Sequence, residues 1–320
     1  MKLKVTAAVV NGVNEPYVLE KLTLGELRYD EVLVKIVATG MCHSDEALRV
    51  GDAQYPLPAV LGHEGAGIIV EVGSAVKDLQ VGDQVVLSYN FCGTCPSCRT
   101  GHPSSCTSWA PLNMGGARLD GSTIFNKEDG TPVANFFTQS SFATHTIVHQ
   151  NNVVKVDSDA DLRLIGPLGC GFLTGAGTVV NGLKPQTDES IAVFGTGAVG
   201  LGALMTAKIE GCSPIVAIDI HDSRLEIARE LGATHTINVR TEENLELNTA
   251  LDLALANRKI AGVLMGDAVP QLAIPKLIEY HKEGRFPFDK LVKFYKFEEI
   301  NEACADSNSG ATIKPILIVD

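Results

Sequence analysis

The stretch IAVFGTGAVGLGALMTAKIEG, Ile191 to Gly211, decides how the chain folds. Its four opening apolar residues suit a buried strand and run straight into glycines spaced G-x-G-x-x-G, at Gly195, Gly197 and Gly200. An apolar-periodic segment follows, and Gly211 closes it as glycine closes a helix. The next apolar run, IVAID, ends in Asp219. HDSRLEIARELGA then supplies a polar cap, an apolar face of Leu225, Ala228 and Leu231, and Gly232 past the end. Strand, glycine turn, helix and strand predict a parallel β-α-β unit, with an acid at the end of its second strand, 24 residues beyond the first glycine. That is the fingerprint of a dinucleotide-binding turn. The glycines let a pyrophosphate approach the backbone at a helix N-terminus, whose dipole favours anions. Asp219 would hydrogen-bond the adenosine ribose hydroxyls and repel a 2′-phosphate, which favours NAD over NADP. The competing reading is a plain packed βα turn.

A doubly wound sheet of this kind has six parallel strands in two βαβαβ halves. The first half is present, as Ile191 onward, Ile215 to Asp219 and THTIN at Thr234 to Asn238. The next convincing strand is KIAGVLM, Lys259 to Met265. A parallel crossover takes about a dozen residues and a whole βαβ unit about 30, so two further strands with their helices cannot fit between. The intervening VRTEENLELNTALDLALANR carries one modest helical pattern. The sheet is therefore expected to be shortened, with a junction near Thr241 to Asn248.

Working upstream, CGTCPSCRTGHPSSC places Cys92, Cys95, Cys98 and Cys106 within a short, glycine-rich and polar stretch. The chain has 320 residues, 45% of them hydrophobic, which is enough for a substantial core. Its net charge of −12 is spread without a long acidic block, and no large Lys/Arg cluster occurs. Nucleic acid and anionic membrane are thus excluded as expected partners. No apolar run reaches the roughly 18 residues a membrane helix needs, and MKLKVTAAVVNGVNEP does not resemble a leader, so a cytoplasmic location is expected. Cytosolic thiols stay reduced, so a local cysteine cluster points to metal. Zinc held by four thiolates is closed to substrate, and the site would be structural. The competitors are free thiols and an iron–sulfur cluster, whose bacterial run has a shorter last gap and a following proline.

A second constellation is dispersed. EVLVKIVA, from Glu31, reads as a strand and leads into TGMCHSDEALRVGD, with Cys42 and His43 in the turn that follows. His63 and Glu64 stand before a glycine-rich strand in LGHEGAGIIVEVGSAV, and Cys170 lies in GPLGCGFLTGAGTVVNGL. Taken singly, a cysteine is most often a buried thiol and a histidine a hydrogen-bonded core residue. Together, two cysteines and one histidine are a ligand set for catalytic zinc, its fourth position left to water or substrate. Asp45 and Glu64 are adjacent acids suited to orienting the imidazole of His63.

GHEGAGIIVEVGSAV, the four-cysteine lobe and GTGAVG occur in the same order in zinc-dependent alcohol dehydrogenases of the medium-chain dehydrogenase/reductase superfamily, which the chain resembles almost from end to end. GCGFLTGAG and RFPFDKLVKFYKFEEIN look closest to the aryl- or benzyl-alcohol branch. The resemblance implies an α/β protein with a β-rich, GroES-like catalytic domain over residues 1–169 and 265–320. A shortened Rossmann domain would occupy residues 170–264, and PQLAIPKLIEYHKEG would be the helix by which the chain returns to the first domain.

The resemblance further implies two zinc ions per chain, one catalytic on Cys42, His63 and Cys170 and one structural on Cys92, Cys95, Cys98 and Cys106. Ser44 would take the alcohol proton, with Asp45 and Glu64 as acids beside the catalytic metal. His43 would lie near the coenzyme pyrophosphate, Thr174 near the nicotinamide, and Asp219 with Arg224 at the adenosine ribose. Lys314 would touch the phosphates. Ala47 replaces a histidine that continues the proton path in many relatives, so protons would leave through Ser44 and the ribose, or by way of His43.

The implied activity is NAD-linked oxidation of a primary or aromatic alcohol, or the reverse. Two rivals stand beside it. One is a zinc-binding homologue that lacks part of the NAD domain and acts as a subunit or binding protein. The other is a quinone or enone reductase without catalytic zinc. Ser88 falls near a position lining the substrate pocket in relatives, where a small side chain leaves room for a ring. A homo-oligomer is expected, paired through an edge strand such as Lys259 to Met265.

Overall fold

The computed structural model describes residues 3–240 and 262–319. The apolar run EVLVKIVA becomes β3 (Glu31–Gly40), buried along nearly its whole length because both of its edges are taken. On one edge it pairs antiparallel with β5 (Glu64–Val72). The other edge is shared by β9 (His145–His149) at its N-terminal end and β15 (Lys314–Ile318) at its C-terminal end. The sheet continues through β6 (Gln84–Leu87) to β10 (Val153–Lys155) on one flank and to β14 (Val292–Lys296) on the other. A closed barrel packs against it, built from β1 (Lys4–Val10), β2 (Val18–Leu24), β7 (Phe125–Asn126), β8 (Pro132–Asn135) and β4 (Ala59–Val60). Full closure removes the unpaired edges that a short-stranded sheet would otherwise expose.

Helices occupy the seams. They are α1 (His43–Val50), α2 (Pro96–Arg99), α3 (Trp109–Met114), α4 (Gly171–Gly177), α5 (Ala198–Ile209), α6 (Asp222–Leu231), α7 (Pro270–Lys282) and α8 (Ile300–Ser309). The expected return helix is thus α7, with Pro270 in its first turn, where the missing N–H costs nothing. Phe172, Phe286 and Phe288 are fully buried and mutually packed, joining α4 to the segment after α7.

The third sheet is parallel and small, in the order β11 (Ile191–Phe194), β12 (Ile215–Asp219), β13 (His235–Asn238). It is one half of a doubly wound sheet, and among the described residues β11 pairs with β12 alone. Among the described residues the small sheet has these three strands. Two further expectations there, the junction near Thr241 to Asn248 and most of the helical pattern that spans it, lie outside the described residues. So do Lys259 to Ala261 of the expected edge strand. Its described part, residues 262–264, belongs to no sheet. Met265, Gly266 and Asp267 then take φ values of 50°, 65° and 44°, a left-handed run that no strand continues.

Among the described residues, no helix is long and apolar enough to cross a membrane.

Candidate active site and metal centres

Cys42 is not in an open turn: it is the N-cap of α1, and His43 is the first helical residue. The helix carries Asp45 back toward its own start, where the fully buried carboxylate gathers three donors. It accepts the Cys42 N–H at 3.0 Å, the Gly62 N–H at 2.9 Å and His63 Nδ1 at 3.0 Å. With Nδ1 so held, His63 Nε2 is left buried without a partner. Cys170, the N-cap of α4, arrives from the other side. Ligand atoms of Cys42, His63, Glu64 and Cys170 all lie within 4.8 Å of one another. A buried imidazole nitrogen orphaned beside two thiols is the arrangement a zinc ion satisfies.

Charge in this site is strongly coupled. The hydrogen bond to Cys170 and the neighbouring His63 hold the Cys42 thiol well below its ordinary pKa, against its burial. The Cys170 thiol is pushed well above, by that same bond and by burial. Burial opposes charge on His63, but Asp45 and the Cys42 thiolate outweigh it and raise the pKa.

Glu64 does not orient His63, as the sequence reading had it. Both of its oxygens lie 2.9 Å from Lys314 Nζ, which also donates to the Met41 carbonyl at 3.1 Å. The role expected of Lys314, touching coenzyme phosphates, needs correcting for the same reason: its ammonium is buried and committed to Glu64. A partner 250 residues away in the chain outcompetes a solvent-facing role. Burial opposes the charge on Lys314, and the Glu64 carboxylate more than restores it.

The four-cysteine lobe folds around a point. Cys98 Sγ lies 3.5 Å from Cys95 Sγ and 3.9 Å from Cys92 Sγ. Backbone N–H groups already aim at sulfur: Cys95 onto Cys92 at 3.3 Å, Cys92 onto Cys106 at 3.3 Å and Ser108 onto Cys106 at 3.4 Å. Such N–H···S contacts stabilise thiolates, and backbone donors bring Cys95 down to about 6. No cysteine of the chain is in a disulfide. This donor set suits a closed tetrahedral zinc site.

A crevice of about 550 Å³ is lined both by Met41, Cys42 and His43 and by Gly195, Gly197 and Gly200 of the glycine turn. The turn needs its glycines for definite reasons. Gly195 has φ 86°, and a Cβ on Gly200 would stand 1.8 Å from the Gly195 carbonyl oxygen. Gly197 caps α5. Ser44 is exposed, with Oγ 3.7 Å from Cys42 Sγ. Thr174 is half-buried, its hydroxyl 3.9 Å from Met265 Sδ. Arg224 lines both the crevice and a neighbouring recess beside Asp219, with Nε unpartnered.

Asp219 itself is more engaged than the sequence suggested. One oxygen accepts the Thr196 N–H and hydroxyl, the other the Ile220 and His221 N–H groups. These donors outweigh burial and keep the carboxyl below its usual range, so its negative charge stays at the strand end.

Sequence reasoning missed the aromatic wall. Phe136 and Phe137 pack on His63 with ring centroids 5.0 and 4.8 Å away, Tyr55 stacks edge-on to Phe136, and Trp109 edge-on to Phe137. The signal available was the run NFFTQSSF, where Phe137, Thr138 and Ser140 adopt positive φ. Ser88 does not open room for a ring, since it is fully buried with its hydroxyl on the Gly169 carbonyl at 2.7 Å.

Comparison with known proteins agrees with this geometry. Residues 28–158 match the alcohol dehydrogenase GroES-like domain, and residues 198–254 match the zinc-binding dehydrogenase domain. Geraniol dehydrogenase of Castellaniella defragrans is 38% identical over 363 residues, spanning 98% of this chain and 97% of its own. That alignment is longer than the chain's 320 residues, so this chain lacks positions the relative has. An alcohol dehydrogenase zinc-binding domain protein from Burkholderia ambifaria superposes with a TM-score of 0.96 at 43% identity, covering 100% of both chains. Benzyl alcohol dehydrogenase from Acinetobacter calcoaceticus superposes with a TM-score of 0.94 at 40% identity, covering 99% of this chain and 100% of its own. The chain belongs to the zinc-dependent alcohol dehydrogenases of the medium-chain dehydrogenase/reductase superfamily, enzymes whose substrates are small alcohols and aldehydes.

Proposed function

We propose that the protein interconverts primary aromatic or allylic alcohols and their aldehydes with NAD, using two zinc ions per chain. The observation that carries this reading is a crevice lined by both Cys42 and the Gly195–Gly200 turn. Cys42, His63 and Cys170 would hold the first metal, and Cys92, Cys95, Cys98 and Cys106 the second. When bound, the first zinc supplies Lewis acidity to an alcohol oxygen and the nicotinamide supplies a hydride acceptor.

The chain's own residues do the rest. Asp45 fixes the His63 ring so that Nε2 faces the site. Ser44, exposed next to Cys42, receives the hydroxyl proton and passes it to water, or to His43 at the crevice mouth. The glycine turn and the start of α5 receive the pyrophosphate. The retained charge of Asp219 disfavours a 2′-phosphate, which supports NAD. Phe136, Phe137 and Trp109 give the metal site an apolar, aromatic surround suited to a ring or an unsaturated chain. The names of two relatives, a geraniol and a benzyl alcohol dehydrogenase, point to the same substrate classes.

The test is an NADH fluorescence titration of zinc-loaded protein, then benzyl alcohol and geraniol oxidation with NAD. Saturable binding, with turnover abolished in Cys42→Ser together with one zinc per chain, is the expected result. Folded protein with two zincs and no saturable NADH binding would sink the reading.

A further inference from the structure

The turn that brings the chain back from the small sheet is fixed by residues remote from it in sequence. Met265, Gly266 and Asp267 are consecutive left-handed residues, and two of them carry side chains. Such a turn persists where its surroundings over-determine it. On one side the Asp267 carboxylate reaches the four-cysteine lobe. Oδ2 lies 2.7 Å from His102 Nδ1, and Oδ1 accepts the hydroxyl of buried Ser104 at 2.9 Å. On the other side Asn181 Nδ2 donates to the Gly266 and Asp267 carbonyls at 3.0 and 3.1 Å.

Between these anchors Gly266 is pressed onto α4, where an added Cβ would stand 2.6 Å from the Leu173 carbonyl oxygen and 3.0 Å from that of Thr174. The same helix begins at Cys170, and Thr174 meets Met265 along it. The part of the crevice wall that α4 forms, at Gly171 and Gly175, is thus propped from behind by the four-cysteine lobe.

We propose that Asp267 is a positioning residue: by tying the left-handed turn to His102 and Ser104, it sets α4 against the coenzyme crevice. The four-cysteine lobe then does more than stiffen its own loop, because it is the anchor from which the nicotinamide side of the crevice is placed. The consequence for coenzyme rests on the reading of this crevice as the NAD site. The clamp itself does not.

The test compares Asp267→Ala and Asp267→Asn with wild type, each shown by metal analysis to carry the same zinc. Two readouts separate the clamp from the coenzyme reading. The first is hydrogen exchange of the Gly171–Gly177 amides, which needs no coenzyme. The second is NADH affinity, with KM for NAD set against KM for the alcohol.

In Asp267→Ala, exchange in α4 should accelerate. Catalytic efficiency for NAD should fall by about tenfold to a hundredfold, while KM for the alcohol stays near wild type. Asp267→Asn, whose amide oxygen still accepts from Ser104, should recover most of both, and Ser104→Ala with His102→Ala should copy the loss from the lobe's side. Unchanged exchange in α4 overturns the clamp, as does a parallel rise of both KM values that merely follows lost stability. Should wild type bind no NADH, the coenzyme reading falls, and exchange in α4 alone still decides the clamp.

Discussion

Asp45 shows how much of the candidate metal site is arranged by the chain itself. Its carboxylate, fully buried, is the acceptor for two backbone N–H groups and for the His63 ring. Replacing it with alanine strands both N–H groups without water, at about 1–3 kcal/mol each. It also releases the ring, so that Nε2 is no longer aimed. We expect Asp45→Ala to lose about 3–5 kcal/mol of stability and to bind zinc about 10–100-fold more weakly. Urea unfolding and competition with a chelator measure the two. Asp45→Asn keeps an acceptor oxygen and should lie between. An alanine variant with wild-type zinc affinity would remove Asp45 from this role.

At the level of elements, α1 is held to α8 by Glu46. Its carboxylate accepts from Arg49 Nε at 2.7 Å and Nη2 at 2.8 Å, from Asn308 Nδ2 at 2.7 Å and from the Cys304 thiol at 3.1 Å. Burial raises its pKa, but these donors outweigh it and the net shift is downward. A carboxylate with a folded pKa below its unfolded value stabilises above the unfolded pKa, about 4.3, and loses that contribution as pH falls through the folded pKa. Glu46→Gln should therefore cost about 1 kcal/mol at pH 7, allowing for solvent screening of a pair that is only partly buried. The gap to wild type should close as the medium is acidified below the unfolded pKa. Parallel melting temperatures across that range check this, and a gap that is independent of pH would show the ionised form to be irrelevant.

Local pattern made much of this scale legible. The strand boundaries at Ile191, Ile215 and Asn238 and both helices of the βαβ unit follow from glycine placement and periodicity. The four-cysteine lobe followed from spacing alone. What sequence could not show were pairings across long separations: Lys314 with Glu64, Asp267 with His102 and Ser104, and Glu46 with Asn308. Nothing local distinguishes a lysine bound for solvent from one bound for a buried carboxylate. Helix α1 is hard to read from sequence because HSDEALRV is short and polar, so that only Gly51, with φ 86° past its end, marks a helix there. Gly175 was legible as a small residue but not as the contact between α4 and α5, where a Cβ would lie 2.0 Å from the Val199 carbonyl oxygen.

Across the whole molecule, burial is uneven, and the unevenness falls on the coenzyme side. Strands β3 and β5 are covered on both faces over most of their length, whereas β11 has one buried residue and β13 none. Phe194, which leads into the glycine turn, is 71% exposed. Local stability follows buried apolar contact, so the small sheet should open at lower free energy than the large one. A ligand that binds only the closed form adds its binding free energy to that opening. Hydrogen exchange should therefore show β11 and β13 exchanging well before β3 and β5. Saturating NADH should slow β11, the glycine turn and the start of α5, and leave β3 and β5 as they were. If β11 proves as protected as β3 without coenzyme, the small sheet is covered in solution and its low burial is not a source of weakness. If it is labile and NADH leaves it so, the half-sheet does not close around the coenzyme, and the metal site is being served by a cleft too soft to hold the hydride acceptor in place.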